Sequence, residues 1–492
     1  MTPDSTTTAN RFGLASPGRV AIVMTAALVV TYAYFYQAGG WNQNSRFALV
    51  RAILERHTLQ IDAYQLHTGD KALWRDHYYS DKPPGTSLMV LPAVAAARGI
   101  ARLDGVDPES FPGIAWTSYV AAVTSAGLFT ALAALLVFVV TLRWGFSTGA
   151  ALFAATAYGL SGPAWSYATL FMSHGVTAGS LMLAFTGAFA PGLTRRWRGF
   201  LVGAGCGLAV LSEFQAAIPA ALITGLTLLD VYREDRLLFW PTVLALVVPA
   251  GACAAVLFAY NTMAFDSPLH LGYASEQGFE QLRTGFFGIT YPQWWRVREL
   301  LIGEYRGLLP LSPLLVASPV GLIVLARNPA RRWPAFVALF IGFYYLLLNA
   351  SYFYWEGGWS YAPRQVTPGL PFMALGLPPL WAAGRRVLRG LLMAGWVLGV
   401  AVTLVAVSTT PQPPSSYRAP MRQLLWPAFV DGDLSLNHQT FVHGSASPDQ
   451  MRGRQIPHAA WNLGELMGLR GLSSLLPLAA VWAAAILLIF KR

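Results

Sequence analysis

The chain has 492 residues, of which 55% are hydrophobic and only 12% are charged, and its mean hydropathy is +0.46. Soluble domains carry about 25% charged residues, so this composition excludes an ordinary soluble protein and indicates lipid as the surrounding solvent. The formal net charge of +11 would be typical of a soluble protein that binds nucleic acid. The arginines, however, cluster in short loops between apolar runs, as the positive-inside rule describes, so we expect no nucleic-acid partner.

Apolar runs of about 17–25 residues, the length that crosses a bilayer as a helix, recur along the sequence. They predict an all-α polytopic membrane protein with about 11–13 transmembrane helices, outer-side loops and interfacial helices. Residues 1–18 are interpreted as a cytoplasmic tail. The predicted spans are 19–38, 114–141, 147–165, 169–190, 199–213, 215–230, 238–260, 307–326, 334–350, 366–383, 389–408 and 473–490.

The arginine-rich loops orient these spans. If the spans alternate, every such loop falls on the cytoplasmic side, and the loops that hold most acids, histidines and tyrosines lie outside. This alternation requires the apolar stretch 85–101 to dip into or lie along the outer interface instead of crossing, with Arg98 and Arg102 reaching towards the headgroups. The cytoplasmic loops are 195–198, 233–236, 327–332, 385–389 and 491–492, and the outer ones are 40–112, 166–173, 261–306, 351–365 and 409–472.

The first outer loop opens on "WNQNSRF" and closes on "YYSDKPPG". Apolar residues at helical spacing between 47 and 54 predict an amphipathic helix along the membrane surface, capped by Asn44 or Ser45. The closing stretch holds Lys82, one of only three lysines in the chain, beside Asp81. An acidic cap followed by prolines is also an ordinary helix start, so this stretch has a structural interpretation as well.

Other candidates stand out by their position along the chain. His174 lies at the mouth of a span, where a satisfied interfacial histidine is as reasonable as a ligand. Glu213 interrupts an apolar region too long for one helix, and it either marks a functional site or serves the helix break. In "WEGGWSYAPRQ", Glu356, Tyr361 and Arg364 supply an acid, a hydroxyl and a guanidinium. Arg364 lies outside, against the positive-inside trend.

Several segments of the chain resemble one family. The first outer loop is joined by "WSYATLFMSHGVTAG" (165–179), "FDSPLHLGYASE" (265–276), "EYRGLLPLSPLL" (304–315) and "YWEGGWSYAPRQVTPGLPF" (354–372). Over most of residues 20–408 the sequence resembles the GT-C superfamily of membrane glycosyltransferases, in the branch of the protein O-mannosyltransferases and the lipid A aminoarabinose transferases. We therefore expect a catalytic module at 19–408, an outer segment at 409–472 and a last transmembrane helix with a cytoplasmic end at 473–492.

The resemblance implies an activity. A sugar would pass from a polyprenyl-phosphate donor to a lipid, glycan or protein acceptor, with inversion, on the outer face of the bacterial cytoplasmic membrane. Lys82, Arg364 and Arg46 would bind the phosphate. The other predicted substrate contacts are Asn44, Tyr79, His174, Glu213, Glu356 and Tyr361.

One position departs from the family. A carboxylate is needed to take the proton of the acceptor, but Gln43 and Asn44 stand where relatives carry an acidic residue. Asp62 or Asp81 is then the candidate catalytic base. Alternatively, the chain is a non-catalytic flippase, scramblase or binding protein for polyprenyl-linked sugars, or a secondary transporter.

The sequence names no cofactor. No residue spacing in the sequence indicates a metal site. Scattered carboxylates that together hold a divalent cation remain an alternative. Membrane lipids are expected partners in every interpretation.

Overall fold

A computed structural model describes residues 14–234, 236–442 and 459–490. The expected tail up to residue 13, the middle of the 409–472 segment and the terminal pair 491–492 lie outside the described residues. The described chain is mostly helical, with very little sheet. Its first eleven α-helices are α1 (Pro17–Ala33), α2 (Trp41–Arg56), α3 (Gly85–Met89), α4 (Leu91–Leu103), α5 (Phe111–Ala122), α6 (Leu128–Arg143), α7 (Thr148–Leu160), α8 (Pro163–Ala168), α9 (Ser173–Phe189), α10 (Arg195–Ser212) and α11 (Ala217–Glu234).

The second half of the described chain continues this pattern and adds short strands. Its helices are α12 (Phe239–Phe265), α13 (Trp294–Ile302), α14 (Leu308–Leu311), α15 (Pro313–Ala326), α16 (Arg332–Ser351), α17 (Leu370–Ala374), α18 (Leu377–Ala383), α19 (Arg386–Thr409), α20 (Trp426–Asp431), α21 (Leu463–Leu466) and α22 (Leu476–Phe490). The strands of the whole described chain are β1 (Phe35–Tyr36), β2 (Lys71–Trp74), β3 (His77–Tyr79), β4 (Glu276–Gln277) and β5 (Trp461–Asn462).

Long apolar helices dominate the bundle. Within the described residues, six helical runs have at least 18 residues and enough hydropathy to cross a bilayer: Phe111–Arg143, Phe214–Glu234, Arg236–Phe265, Pro329–Ser351, Arg386–Thr409 and Gly471–Phe490. The helices α1, α7 and α15 are apolar but shorter. Each predicted span contains a helix, and the all-α polytopic membrane fold is confirmed.

Glycines on α10 let this helix approach α12 closely. Gly199, Gly203 and Gly207 follow one another at intervals of four along α10, and a Cβ at each position would meet α12 at Thr242, Leu246 and Cys253 respectively. Small residues at this spacing allow helix backbones to pack together in lipid, where no hydrophobic effect drives association.

The apolar region 199–230 is broken at Glu213, as predicted. Helix α10 ends at Ser212, and Glu213 has extended backbone with φ −148° and ψ 120°. A 3₁₀ turn over Phe214–Ala216 then leads into α11. The Glu213 side chain is therefore held at a joint between two helices.

Two small sheets join loops that are distant in sequence. In the β2–β3 hairpin, Ala72 pairs with Tyr79, and the two turn residues Arg75 and Asp76 both have positive φ, as a type I′ turn requires. Strand β4, from the 261–306 loop, pairs with the other edge of β2. Strand β1 pairs with β5 near the end of the chain.

Helix α2 differs from the prediction in its start and its surroundings. It begins at Trp41, and Asn44 Oδ1 accepts a hydrogen bond from Gly40 N–H at 3.2 Å, so Asn44 and Ser45 lie inside the helix. Residues 43–52 are all buried, so this part of α2 does not lie along the membrane surface. Its polar side chains are buried because they find partners inside the protein.

Arg98 on α4 is also buried, which corrects the expectation that it reaches the headgroups. Its Nη1 lies 2.6 Å from Glu55 Oε1, and Arg51 contacts the same oxygen at 3.0 Å. Tyr64 donates to the second oxygen of Glu55 at 2.7 Å. We call Glu55, Arg51 and Arg98 the Glu55 cluster. Arg102 is exposed.

Helix α4 is too short to cross a membrane. Its 13 residues extend about 20 Å at 1.5 Å per residue, whereas the hydrocarbon core of a bilayer is about 30 Å thick. The preceding helix α3 covers the first five residues of the 85–101 stretch, and the expectation that this stretch does not cross stays a prediction.

The end of α19 and the segment after it contact the chain around the start of the 40–112 loop. Gln37 Nε2 donates to Val407 O at 2.8 Å, and Asn437 Nδ2 donates to Gln37 O at 2.6 Å. Gln43 Nε2 donates to Gln412 Oε1. Amide side chains thus fasten the chain just after its first helix to residues almost 400 positions later.

Candidate functional site

A cavity lies where the 40–112, 261–306 and 351–365 loops meet the start of α9 and the joint at Glu213. Its polar lining contains three cations and three carboxylates, together with one histidine. These and the other polar residues are Asn42, Arg46, Asp70, Asp81, Lys82, Ser173, His174, Glu213, Gln215, Arg364 and Gln365. The aromatic and apolar lining is Tyr273, Phe279, Leu282, Ile289, Tyr345, Leu348, Tyr352, Phe353 and Tyr354.

The β2–β3 hairpin builds one wall of the cavity. Its antiparallel register pairs Ala72 with Tyr79, and the same register continued by two residues sets Asp70 opposite Asp81. Lys82 follows at once and reaches both acids, with Nζ at 2.9 Å from Asp70 Oδ2 and 2.7 Å from Asp81 Oδ2. We call Asp70, Asp81 and Lys82 the cavity cluster.

Lys82 keeps its charge in this buried position. Burial alone would lower the pKa of Lys82, but the charges of Asp70 and Asp81 outweigh burial and raise it. An ammonium group has three donors, and two of them are used by these carboxylates. One donor of Lys82 is therefore left for a group in the cavity.

Arg46 connects this wall to the opposite one. Its Nη1 donates to Pro83 O at 3.2 Å and its Nη2 donates to Ser173 Oγ at 2.9 Å. Its Nε donates to Asn42 Oδ1, one helical turn earlier, at 3.3 Å. Every nitrogen of this guanidinium has a partner, so Arg46 fixes the distance between the cavity cluster and the start of α9.

A second hydrogen-bonded group lies at the start of α9. Ser173 Oγ donates to Glu213 Oε1 at 2.7 Å, and His174 Nδ1 lies 2.5 Å from the same oxygen. Because Glu213 sits at the joint between α10 and α11, three helices hold this group. The Tyr167 ring packs edge-on against the His174 ring, with centroids 6.2 Å apart.

Arg364 differs from the other two cations. It begins the 3₁₀ helix Arg364–Gly369, and its stem passes so close to Gly357 that a Cβ there would lie 3.2 Å from Arg364 Cγ. Its Nε is buried and has no hydrogen-bond partner. Within the described residues no carboxylate forms an ion pair with Arg364, so its charge is available to a ligand.

The comparison with solved structures identifies the fold. The structure of ArnT from Cupriavidus metallidurans bound to undecaprenyl phosphate is similar to this chain with a TM-score of 0.52 and 16% identity, over 97% of this chain and 76% of that one. The apo structure of the same protein gives a TM-score of 0.51 and 15% identity, over 96% and 74%. This chain has the GT-C fold. No protein-family model and no curated protein sequence matches it.

Within this GT-C fold, five of the predicted site residues line the cavity besides Asp81. They are Lys82, Arg46, His174, Glu213 and Arg364. These side chains come from separate parts of the chain, and the fold brings them to one place.

Asp62 lies elsewhere. Its carboxylate contacts His77 Nδ1 at 2.7 Å and accepts a hydrogen bond from Tyr78 N–H at 2.6 Å, and its side chain is 42% exposed. Asp62 is not among the lining residues, so the structure places this predicted base on the surface of the 40–112 loop.

Four predicted substrate contacts also lie outside the cavity lining. Asn44 Nδ2 donates to His67 O and Thr440 O, and Tyr79 packs against Phe265. The Tyr361 hydroxyl accepts a hydrogen bond from Ser166 at 3.0 Å.

Glu356 is the fourth of these residues, and it contacts Arg418 at 3.4 Å. All four side chains have partners in the protein that account for their positions.

Sequence reasoning missed Asp70 and Tyr273. Asp70 belongs to the cavity cluster, and the Tyr273 ring lies 5.6 Å from Lys82 Nζ. No clear sequence signal indicated Asp70, because the "RD" pair at 75–76 lacks the Gly or Asn of a two-residue hairpin turn, although a hairpin centred there places positions 70 and 81 side by side. Nothing in the sequence indicates that Tyr273 lies near Lys82.

Glu276 lies beside the cavity cluster on β4. Its Oε2 accepts a hydrogen bond from Phe279 N–H at 3.2 Å, whereas its buried Oε1 has no partner. Burial, and then the charge of Asp81, raise the pKa of Glu276 to about 7. This carboxyl therefore senses the negative charge of the cavity cluster.

Proposed function

We propose that this protein transfers a sugar from a polyprenyl-phosphate donor to a lipid, glycan or protein acceptor on the outer face of the bacterial cytoplasmic membrane. The observation that carries the proposal is Arg364, which lines the same cavity as Lys82 and, within the described residues, has no ion pair and no hydrogen-bond partner for its Nε. The similarity in fold to a protein whose structure holds undecaprenyl phosphate supports it.

The charges of the cavity suit a bound phosphate. Lys82 is paired with Asp70 and Asp81, and every nitrogen of Arg46 has a hydrogen-bond partner, so both cations hold the site together. In the part of the chain that the structure describes, Arg364 has no ion pair, and its positive charge is the one left for a ligand. Phosphate oxygens accept hydrogen bonds from a guanidinium fork in a fixed geometry. The remaining donor of Lys82 supplies a second contact.

These two cations also suit the chemistry. As the bond between the sugar and the phosphate breaks, negative charge grows on the leaving phosphate, and fixed cations in a site that excludes water stabilise that charge. A single displacement by the acceptor oxygen inverts the anomeric carbon. The aromatic residues 352–354 and the Tyr273 ring offer flat apolar faces for the sugar and the prenyl chain.

The source of positive charge in this proposal is the protein. The described residues include no group of three or more histidine, cysteine, aspartate or glutamate side chains placed to hold a metal ion. A requirement for a divalent cation is tested by adding a chelator to the assay described next.

The test is donor turnover by the purified protein in lipid. The wild type is incubated with a panel of radiolabelled polyprenyl-phosphate sugars and membrane acceptors, and binding of undecaprenyl phosphate is measured separately. Arg364→Ala should weaken that binding about 10- to 100-fold, since a hydrogen bond to a charged group contributes about 1.5–3 kcal/mol. The control is Arg422→Ala, because that arginine side chain is 77% exposed and contacts only Glu304 among the described acids. Unchanged phosphate binding in Arg364→Ala contradicts the proposal.

A second function follows from one observation. Gln43 and Asn44, which replace the acidic residue of the relatives, are both engaged in hydrogen bonds within the protein. A flippase, scramblase or binding protein for polyprenyl-linked sugars would need the phosphate contacts and no base. Translocation of the lipid across vesicles without any glycosylated product would favour this function.

A further inference from the structure

We propose that His174, oriented by Glu213, is the general base that takes the proton of the acceptor hydroxyl. This inference rests on the sugar transfer proposed above, and it answers the question raised by the amides at Gln43 and Asn44. It assigns the proton transfer to a histidine–carboxylate pair on α9 and at the joint after α10.

The geometry of the pair defines the tautomer. His174 Nδ1 lies 2.5 Å from Glu213 Oε1, although the two atoms are not aligned as a hydrogen bond. Two lone pairs would repel at this distance, so a neutral His174 carries its proton on Nδ1 and keeps the lone pair on Nε2. His174 lines the cavity, so Nε2 is the ring nitrogen that serves a ligand there. A carboxylate behind the imidazole fixes the ring and stabilises the imidazolium that forms, which is the arrangement of a histidine general base.

Glu213 is held in place for this role. Its Oε1 also accepts the Ser173 hydroxyl at 2.7 Å, and that hydroxyl in turn accepts a hydrogen bond from Arg46 at 2.9 Å. Glu213 is buried in a region of apolar helices. A buried carboxylate without partners would be costly, so its contacts here keep it charged and directed at His174.

The other acids of the cavity are occupied. Asp70 and Asp81 both form ion pairs with Lys82, and protonating either during turnover would remove a charge that holds this cation. Asp62 lies outside the cavity lining. Of the carboxylates in the lining, only Glu213 is not paired with Lys82, and it reaches the cavity through His174.

The pair is also in the right place relative to the phosphate contacts. Arg46 touches Pro83, the residue after Lys82, with one nitrogen and Ser173, the residue before His174, with another. A single guanidinium therefore separates the leaving-group side of the cavity from the base. Displacement requires this arrangement, with the acceptor on one side of the anomeric carbon and the phosphate on the other.

The step balances as follows. His174 Nε2 takes the proton of the acceptor hydroxyl, and the acceptor oxygen forms a bond to the anomeric carbon with its electron pair. The bond between that carbon and the phosphate oxygen breaks, and its electrons leave with the phosphate. Lys82 and Arg364 hold the resulting polyprenyl phosphate, and Glu213 stabilises the imidazolium until its proton returns to solvent.

The experiment compares two histidine–carboxylate pairs in the same chain. His174→Ala should lower kcat about 10²- to 10⁴-fold, the contribution of general base catalysis, while binding of undecaprenyl phosphate stays unchanged. Added imidazole should restore part of the lost rate. The matched control is His77→Ala, since His77 contacts Asp62 at 2.7 Å on the loop surface, and its kcat should equal that of the wild type.

The outcomes separate the two proposals. If the wild type turns over no donor, the proposed function fails. If the wild type is active and His174→Ala keeps its kcat within about threefold, well below the expected loss, only the base assignment fails. Loss of phosphate binding together with kcat, without imidazole rescue, assigns a structural role and also overturns it. Should His174→Ala not fold, His174→Gln is measured in the same way, because it keeps a side chain that can reach Glu213.

Discussion

The 40–112 loop contains two buried charge clusters of opposite composition. The Glu55 cluster has two arginines on one carboxylate, and the cavity cluster has two carboxylates on one lysine. Both carboxylate oxygens of Glu55 are engaged, whereas Lys82 retains a donor and lines the cavity. The difference teaches that burial and charge alone do not mark a site. A site is marked by charged groups that keep an unused hydrogen-bond donor or acceptor after all contacts within the protein are made.

The largest expected effect comes from a substitution that breaks the cavity cluster. Lys82→Met should lower kcat about 10²- to 10³-fold, since it removes a cation that stabilises the leaving phosphate. The measurement is single-turnover transfer from the best donor found in the panel. Lys71→Met is the matched control, because Lys71 in the same loop hydrogen-bonds only to Gln65. Equal rates in the two variants would remove Lys82 from the mechanism.

The second largest effect is expected from a substitution that breaks the Glu55 cluster. Glu55→Gln leaves the buried Arg51 without its counter-ion and Arg98 with only the half-exposed Glu109 at 3.5 Å, and removing one partner of a buried ion pair costs about 3–5 kcal/mol. We expect a lower midpoint of thermal unfolding, followed by tryptophan fluorescence in detergent, with an unchanged rate per folded molecule. Glu304→Gln, at a side chain 71% exposed, should change stability by less than about 0.5 kcal/mol. A catalytic defect in folded Glu55→Gln would contradict this division of roles.

The smallest effect concerns Glu276, which lies beside the cavity cluster. Its pKa is raised from 4.5 to about 7 by burial and by Asp81, so the folded protein binds this proton more tightly than the unfolded chain. Stability is therefore lost as pH rises from about 5 to above 7, where the unfavourable charge is fully present. Glu276→Gln should be more stable than the wild type at pH 8 and equal to it near pH 5. An equal difference at both values would show that Glu276 does not titrate in this range.

Sequence reasoning succeeded where a residue conflicts with its local surroundings. Glu213 is an acid inside an apolar region, and Arg364 is a cation in a loop predicted to lie outside, where cations are rare. Lys82 is a rare lysine between acidic and proline residues. Such conflicts are local, so they are visible without the fold, and all three residues line the cavity.

Sequence reasoning failed where contacts between residues far apart in sequence determine the position of a side chain. Helical spacing predicted α2, but nothing in the spacing shows that Arg46 is buried, because its partner Ser173 lies 127 residues away. Tyr273 reaches the cavity because β4 pairs with β2 across about two hundred residues. Asn44 was chosen by comparison with the family, and its amide instead links the loop to Thr440.

The amide contacts around Gln37 and Gln43 have a consequence for biosynthesis. Val407, which accepts the Gln37 hydrogen bond, follows it by 370 residues. At about 5–20 residues per second, the ribosome needs on the order of 20–70 s to make that stretch. During this interval the nascent 40–112 loop lacks the later residues that contact its start. A chain that stops before residue 407 therefore lacks the amide contacts at Gln37 and Gln43, while the contacts of the loop with Ser173 and β4 can already form.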